Sequence, residues 1–313
     1  MTTETTYSDN NMLAFQSRID IIEQAVEAVE RLMNDVVNSQ IDVLRDASHH
    51  ILEAGGKRIR PRLTLLSFAA TGGSDLMKVV PPAAAIELVH TASVVHDDIN
   101  DHGIVRRGRP SVNALWGRTF ALLTGDFLFA KVYELMAPYN NLNILLAEGT
   151  IALVEGETLQ ASAVKNKSLN SETYMKVIGL KTAALFRSGT KIGGTLSNAT
   201  EAEIEALGDF GYNIGLAFQI VDDILDLVGD EATIGKTTGL DSQQGKGFAS
   251  VEDDDGTADV LREKMLDGDY IERAKKQAND LAESAIERIS IIPASPYKDE
   301  LIRMARSVVE REL

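Results

Sequence analysis

Apolar residues recur at three- and four-residue spacing along almost the whole chain, and few prolines interrupt the pattern: Pro61, Pro81, Pro82, Pro110, Pro138, Pro293 and Pro296. Such spacing puts apolar side chains on one stripe of a helix. Over 12–37 the stripe runs through Leu13, Ile19, Ile22, Val26, Val29, Met33 and Val36. After the Gly72-Gly73-Ser74-Asp75 break, Pro82 opens a helix expected to run to about Asp101, since proline is tolerated in a first helical turn. Further helices are expected over 111–137, 141–162, 171–191, 201–229, 269–290 and 297–312. Strand-like alternation bounded by turn dipeptides is nearly absent. The expected fold is all-α, one domain over 1–313, with 1–11 a disordered N-terminal tail.

Composition narrows the function. The 47 acidic and 31 basic side chains give a net charge of −16. That balance argues against nucleic acid, whose phosphates attract a Lys and Arg surplus, and against charge-driven docking on anionic lipid. With no cysteine, thiolate metal sites, disulfides and a cysteine nucleophile are excluded. No apolar run reads as a membrane span, and the polar N-terminus with Glu4 and Asp9 is unlike a signal or transit peptide. The expectation is a cytoplasmic protein without stable membrane insertion.

Two carboxylate clusters stand out in this apolar helical background, His96-Asp97-Asp98-Ile99-Asn100-Asp101 and Val221-Asp222-Asp223-Ile224-Leu225-Asp226. In each, the outer aspartates are four apart and share a helix face. Like charges at that spacing weaken a bare helix, and burial among Val, Ile and Leu multiplies the cost. A cation must offset it. Magnesium suits an all-oxygen site that keeps waters and takes substrate phosphates. A single Asp-Asp-x-x-Asp in an acidic chain is more often a solvated helix face; two copies change that weighting. The run Glu252-Asp253-Asp254-Asp255-Gly256 lacks the ligand order of a calcium loop and reads as a solvated loop.

The basic residues are the complement. Gly55-Gly56-Lys57-Arg58-Ile59-Arg60-Pro61 and Arg106-Arg107-Gly108-Arg109-Pro110 concentrate cations beside glycine, and Lys181-Thr182, Lys236 and Lys246 lie near later helix ends. Arg forks and Lys point charges are what diphosphates need. Together with the carboxylates they describe a site for two anionic substrates, one bridged by metal and the other held directly.

These motifs, in this order over 55–247, resemble the trans-isoprenyl diphosphate synthases, or polyprenyl synthetases. The residues carrying the resemblance are Gly55 to Pro61, His90-Thr91-Ala92-Ser93 leading into Asp97-Asp98-Ile99-Asn100-Asp101, Arg106-Arg107-Gly108, and Lys181-Thr182-Ala183-Ala184-Leu185-Phe186. Gln219 through Asp226, Gly235-Lys236 and Gly245-Lys246 complete the set. The resemblance implies a bundle of long antiparallel helices around a deep central cavity, usually in a homodimer. It also implies condensation of isopentenyl diphosphate with an allylic prenyl diphosphate, releasing diphosphate. By motif match, Asp97, Asp101 and Asp222 would hold Mg²⁺, three ions with substrate bound and Mn²⁺ able to substitute. Asp98, Asp223 and Asp226 would support them. Arg106, Lys181 and Lys236 would hold the allylic diphosphate, and Lys57, Arg60, His90 and Arg107 the isopentenyl diphosphate. Lys181, Thr182 and Gln219 would face the developing carbocation. Such chemistry needs no side-chain nucleophile; it needs preorganised cations for the leaving group and a dry pocket. His96 reads as a helix-packing residue rather than a catalyst.

Ala92 and Ser93 precede Asp97 by five and four positions, about 6–8 Å down the helix, with Val89 a further turn below. Small residues there leave a product pocket open, and the His-Thr-Ala-Ser context resembles longer-chain synthases, implying more than four isoprene units. A geranylgeranyl or farnesyl diphosphate synthase is the alternative. The segment after Gly245-Lys246-Gly247 departs from the family pattern by running into the acidic loop. Rival readings are a metal phosphohydrolase, which wants histidines beyond His102, and a class I terpene cyclase, which has a different second metal motif. A subunit needing a heteromeric partner is a third, and such subunits typically lose one aspartate cluster.

Overall fold

The computed structural model describes residues 3–228 and 268–310, with side chains described over 20–226 and 271–310. Eleven α-helices make up the described chain: α1 Thr3–Val36, α2 Asp42–Glu53, α3 Ile59–Ala70, α4 Val80–Asn100, α5 Val112–Met136, α6 Leu142–Asn166, α7 Ser171–Ile178, α8 Ala184–Leu196, α9 Glu201–Val228, α10 Gly268–Arg288 and α11 Pro296–Val309. A π-helical segment, Gly179–Ala183, joins α7 to α8. The all-α expectation holds. The chain differs from it at the N-terminus, where α1 starts at Thr3 and occupies most of the stretch assigned to a disordered tail. It differs also at α2, a short helix whose Ile41 N-cap offers no capping side chain.

Sequence dictates most of the other helix ends. Ser111 and Asn170 accept hydrogen bonds from Ala114 N and Thr173 N, the N-cap geometry, at the starts of α5 and α7. Thr200 and Glu203 form a reciprocal capping box at α9. Ser295 caps α11 ahead of Pro296.

Helix α4 is the centre of the bundle. Ala83, Ala84, Ala85, Ile86, Leu88, Val89 and Ala92 have no solvent exposure, and a helix apolar on all faces is a buried helix. The segment 76–100 is in fact long and apolar enough by composition to cross a bilayer, contrary to the sequence expectation, but 72% of its apolar window is buried within the protein. Neighbouring helices pack α4 against α5, α3 against α8, and α9 against both α8 and α10.

The end of α4 sets up the site. Gly103 N bonds Asp98 O at 2.9 Å while His102 takes φ +54°, a left-handed stop that turns the chain sharply away. The chain then forms a two-stranded hairpin, β1 Val105–Arg106 and β2 Arg109–Pro110. Its two turn residues, Arg107 and Gly108, both have positive φ, as the right-handed twist of a two-residue hairpin requires.

Candidate active site

Both aspartate clusters lie at helix C-termini: Asp97, Asp98 and Asp101 at the end of α4, and Asp222, Asp223 and Asp226 in the last turns of α9. Helix C-termini are already negative, so carboxylates there add to an unfavourable field. Nearby cations offset it.

The first cation is Lys181, in the π-helical segment. Its Nζ lies 3.5 Å from Asp97 Oδ2, pairs with Glu157 of α6, and donates to Gln160 Oε1 at 3.0 Å. Burial works against the Lys181 charge, yet Asp97 and Glu157 overcome it and hold the ammonium above its ordinary pKa. For Asp97 the order reverses. Burial, helped by Glu157 and Asp101, outweighs Lys181 and Arg106 and lifts the carboxyl from 3.8 to about 6. The neighbouring residue, Thr182, turns to the other cluster. Its hydroxyl donates to Gln219 Oε1 at 2.7 Å, Gln219 Nε2 donates to Asp223 Oδ1 at 2.8 Å, and Tyr174 of α7 donates to Asp223 Oδ2 at 2.7 Å. Two consecutive residues thus reach both aspartate helices.

Their position depends on Gly156 of α6. A Cβ there would fall 2.5 Å from Lys181 N and 2.9 Å from Leu180 Cβ, so only glycine lets α6 approach the π-helical backbone this closely.

The second cation is Arg106 on the hairpin. Its Nε and Nη2 donate to Asp98 Oδ1 at 3.1 and 2.7 Å. Asp98 Oδ2 is buried without a hydrogen-bond partner, and burial raises the Asp98 pKa in spite of Arg106.

A second basic group gathers beside the first. The guanidinium of Arg60 lies 4.6 Å from the Phe186 ring centroid, and burial depresses its pKa against the pull of Glu87 and Asp222. Arg107 packs on the Gly55–Gly56 loop, its Nη1 2.9 Å from where a Gly56 Cβ would stand. Half-buried His90 on α4 is held well below the usual imidazole range by burial, then by Arg60, Arg107, Arg106 and Arg58 around it. Lys57 is exposed on the same loop. Arg58 is different: buried, with φ +47°, it is bound to Glu30 at 3.0 Å, Glu87 at 3.1 Å and Leu52 O at 3.1 Å, and it braces the loop.

Along α4 below Asp97, Val89 and Ala92 have no exposure. Ser93 is half-buried, its hydroxyl donating to His90 O at 2.8 Å. His96 packs on α5, its Nε2 3.2 Å from Leu122 O and its ring 6.0 Å from that of Phe129. Gly235, Lys236, Gly245, Lys246 and the acidic run 252–255 lie outside the described residues. Sequence reasoning missed Glu157, Gln160, Glu87 and Tyr174. Glu157 and Gln160 share the face of α6 that meets the π-helical segment, and no local pattern distinguishes them.

The donor set fits a hard cation. Asp97 is a desolvated carboxylate whose charged form is disfavoured, and Asp98 keeps a buried oxygen without a hydrogen-bond partner. Among the described residues no three carboxylates or imidazoles converge closely enough to hold a metal by themselves. Asp97, Asp101 and Asp222 are the carboxylates that could hold magnesium, an ion that takes few protein ligands and leaves the rest of its shell to water and phosphate.

The chain belongs to the polyprenyl synthetase family, whose profile matches residues 41–279, and it is a prenyltransferase. It is 33% identical to the all-trans-nonaprenyl-diphosphate synthase (geranyl-diphosphate specific) of Rhodobacter capsulatus, over 93% of this chain and 96% of that one. Among solved structures, it resembles the geranylgeranyl pyrophosphate synthetase of Pyrococcus horikoshii with a TM-score of 0.87 at 32% identity, covering 96% of this chain and 100% of the other. It resembles the polyprenyl synthase of Caulobacter crescentus complexed with calcium and isoprenyl diphosphate with a TM-score of 0.85 at 30% identity, covering 95% and 98%.

Proposed function

We propose that the protein condenses isopentenyl diphosphate with an allylic prenyl diphosphate in a magnesium-dependent reaction, releasing diphosphate and giving a trans-polyprenyl diphosphate. The observation that carries this reading is the reach of Lys181 and Thr182 to the two aspartate helices, Lys181 to Asp97 and Thr182 through Gln219 to Asp223. Asp97, Asp101 and Asp222 hold the metal, with Asp98, Asp223 and Asp226 behind them. The bound ions supply Lewis-acid stabilisation of the departing diphosphate. The Caulobacter relative, solved with calcium and isoprenyl diphosphate, supports a divalent cation in such a site.

The chain's own residues do the rest. Lys181 and Arg106 meet the charge that develops on the leaving diphosphate, as preorganised cations in a desolvated site. Lys57, Arg60, His90 and Arg107 bind the isopentenyl diphosphate, with His90 neutral and available as a donor. The Thr182 and Gln219 dipoles face the allylic carbocation. The apolar helices around α4 keep water from it.

The product exceeds four isoprene units, on the small side chains of Ala92 and Ser93. The working form is a cytoplasmic homodimer. On helix α5 Leu115, Phe120, Leu122, Leu123 and Tyr133 are exposed, as are Ile144, Ile151 and Val154 on α6. Exposed large apolar side chains gathered on two helices mark an interaction surface, and a second copy of this chain covers it. Light scattering should return twice the chain mass of 34.0 kDa; a monomer would contradict the assembly.

Incubating the purified protein alone with Mg²⁺, isopentenyl diphosphate and labelled allylic primers tests the activity. Linear products longer than four units support the reading. Cyclic hydrocarbons would identify a terpene cyclase, and activity only after adding another subunit would identify half of a heteromeric enzyme.

A further inference from the structure

We infer that Tyr174 is a positioning residue for the reaction, fixing the orientation of the Gln219 amide through Asp223; this rests on the cation-facing role proposed for Thr182 and Gln219. Tyr174 is 1% exposed and sits on α7, away from both aspartate clusters in sequence. Its hydroxyl donates to Asp223 Oδ2 at 2.7 Å, and Asp223 Oδ1 accepts from Gln219 Nε2 at 2.8 Å. Both oxygens of this carboxylate therefore take a hydrogen bond from the protein.

The consequence is directional. The Gln219 nitrogen faces Asp223 and the Gln219 oxygen faces Thr182, and Asp223 accepts on both of its oxygens, as a carboxylate can. Thr182 then spends its single hydroxyl proton on that oxygen, at 2.7 Å. The lone pairs of Thr182 are left for the pocket. With the amide reversed, an amide N–H would point at Thr182, whose hydroxyl would turn and present its proton to the pocket. Electropositive hydrogen in place of oxygen is the wrong dipole beside a developing carbocation.

Tyr174 holds Asp223 against turning. A carboxylate on a helix end can rotate about its terminal torsion, which is a broad, soft coordinate. The phenol anchors it from α7 while Gln219 engages it from within α9, so the chain of four side chains spans three elements and has one consistent direction. Buried networks of this kind fix geometry when every member is satisfied.

The test is a double-mutant cycle on the full-length enzyme. Tyr174→Phe keeps the ring and removes the hydroxyl. The expected result is a loss in kcat of roughly ten- to a hundredfold, with the KM for both diphosphates unchanged, and no further loss when Tyr174→Phe is added to Gln219→Ala. A role in packing alone would instead give losses that multiply in the double variant, or unchanged kcat with a lower melting temperature, and either would overturn the inference. If Gln219→Ala keeps full kcat, the cation-facing reading fails and the inference with it. If Gln219→Ala is impaired and folded Tyr174→Phe is not, the inference alone fails. Should Tyr174→Phe not fold, Tyr174→His, which keeps a ring and a hydrogen-bond donor, takes its place in the cycle: a reduced kcat with unchanged KM and no further loss on adding Gln219→Ala is expected, and losses that multiply would overturn the inference.

Discussion

The Lys181 ammonium stands 3.5 Å from Asp97, on a helix remote in sequence, in a contact made across the gap between the π-helical segment and the end of α4. Its strength comes from enclosure: with water scarce, opposite charges interact several times more strongly than at a surface. The same enclosure makes Asp97 expensive to ionise, which has a measurable consequence.

Asp97→Asn should stabilise the ligand-free protein at neutral pH while abolishing activity. The folded-state pKa of Asp97 is raised from 3.8 to about 6. Between those values the folded chain binds more protons than the unfolded one, so stability falls as pH rises through the window, and the penalty is complete above about pH 6. The variant should melt a few degrees higher than wild type at pH 7.5, the effect of roughly 3 kcal/mol, and lose that advantage near pH 4. Thermal melts at the two pH values check this.

His90 carries the opposite sign. Its folded pKa lies well below 6.5 because of burial and four arginines. Below pH 6.5 the unfolded chain takes up a proton that the folded chain resists, so this residue lowers stability as the pH falls. His90→Gln should therefore shrink the drop in melting temperature between pH 7.5 and pH 5.5. It should also raise the KM for isopentenyl diphosphate while leaving that for the allylic substrate nearly unchanged.

Gly156→Ala should displace the π-helical segment, because the new methyl would meet Lys181 N at 2.5 Å. Overpacking of this kind costs about 1–3 kcal/mol. Since the displaced backbone carries both Lys181 and Thr182, kcat should fall by more than tenfold, a loss larger than the destabilisation alone explains at 25 °C, where the variant stays folded. Steady-state kinetics beside a melting curve separate the two.

Product length should respond to the small residues below Asp97. Ala92→Phe and Ser93→Phe are each expected to shorten the product, resolved by chromatography of the dephosphorylated alcohols. Ser93 is half-buried whereas Ala92 has no exposure, so Ser93→Phe should do so at the smaller cost in stability. Unchanged length in both variants would place the pocket floor on another helix.

These residues also show where sequence was legible. α4 and α9 announced themselves because apolar periodicity and aspartates four apart are both local signals, readable on one helix. The hairpin arginines were legible for the same reason, lying just after the first cluster. The π-helical segment was not: apolar spacing continues from 171 to 191 without a break, so one extra residue in a turn leaves no trace in the pattern. Glu157 and Tyr174 were missed because their importance is a matter of partners distant along the chain, Lys181 and Asp223, and an isolated Glu or Tyr looks like many others. Helix α2 was missed because Ile41 gives no start signal.

The central claim is that the two aspartate helices serve one metal-bridged diphosphate. Calorimetric titration of Mg²⁺ into protein loaded with a non-hydrolysable allylic diphosphate analogue tests it without turnover, using wild type, Asp97→Ala and Asp222→Ala. The expected result is cooperative Mg²⁺ binding in wild type and at least a tenfold loss of affinity in each variant. Wild-type Mg²⁺ binding in Asp222→Ala, or in Asp97→Ala, would contradict the account.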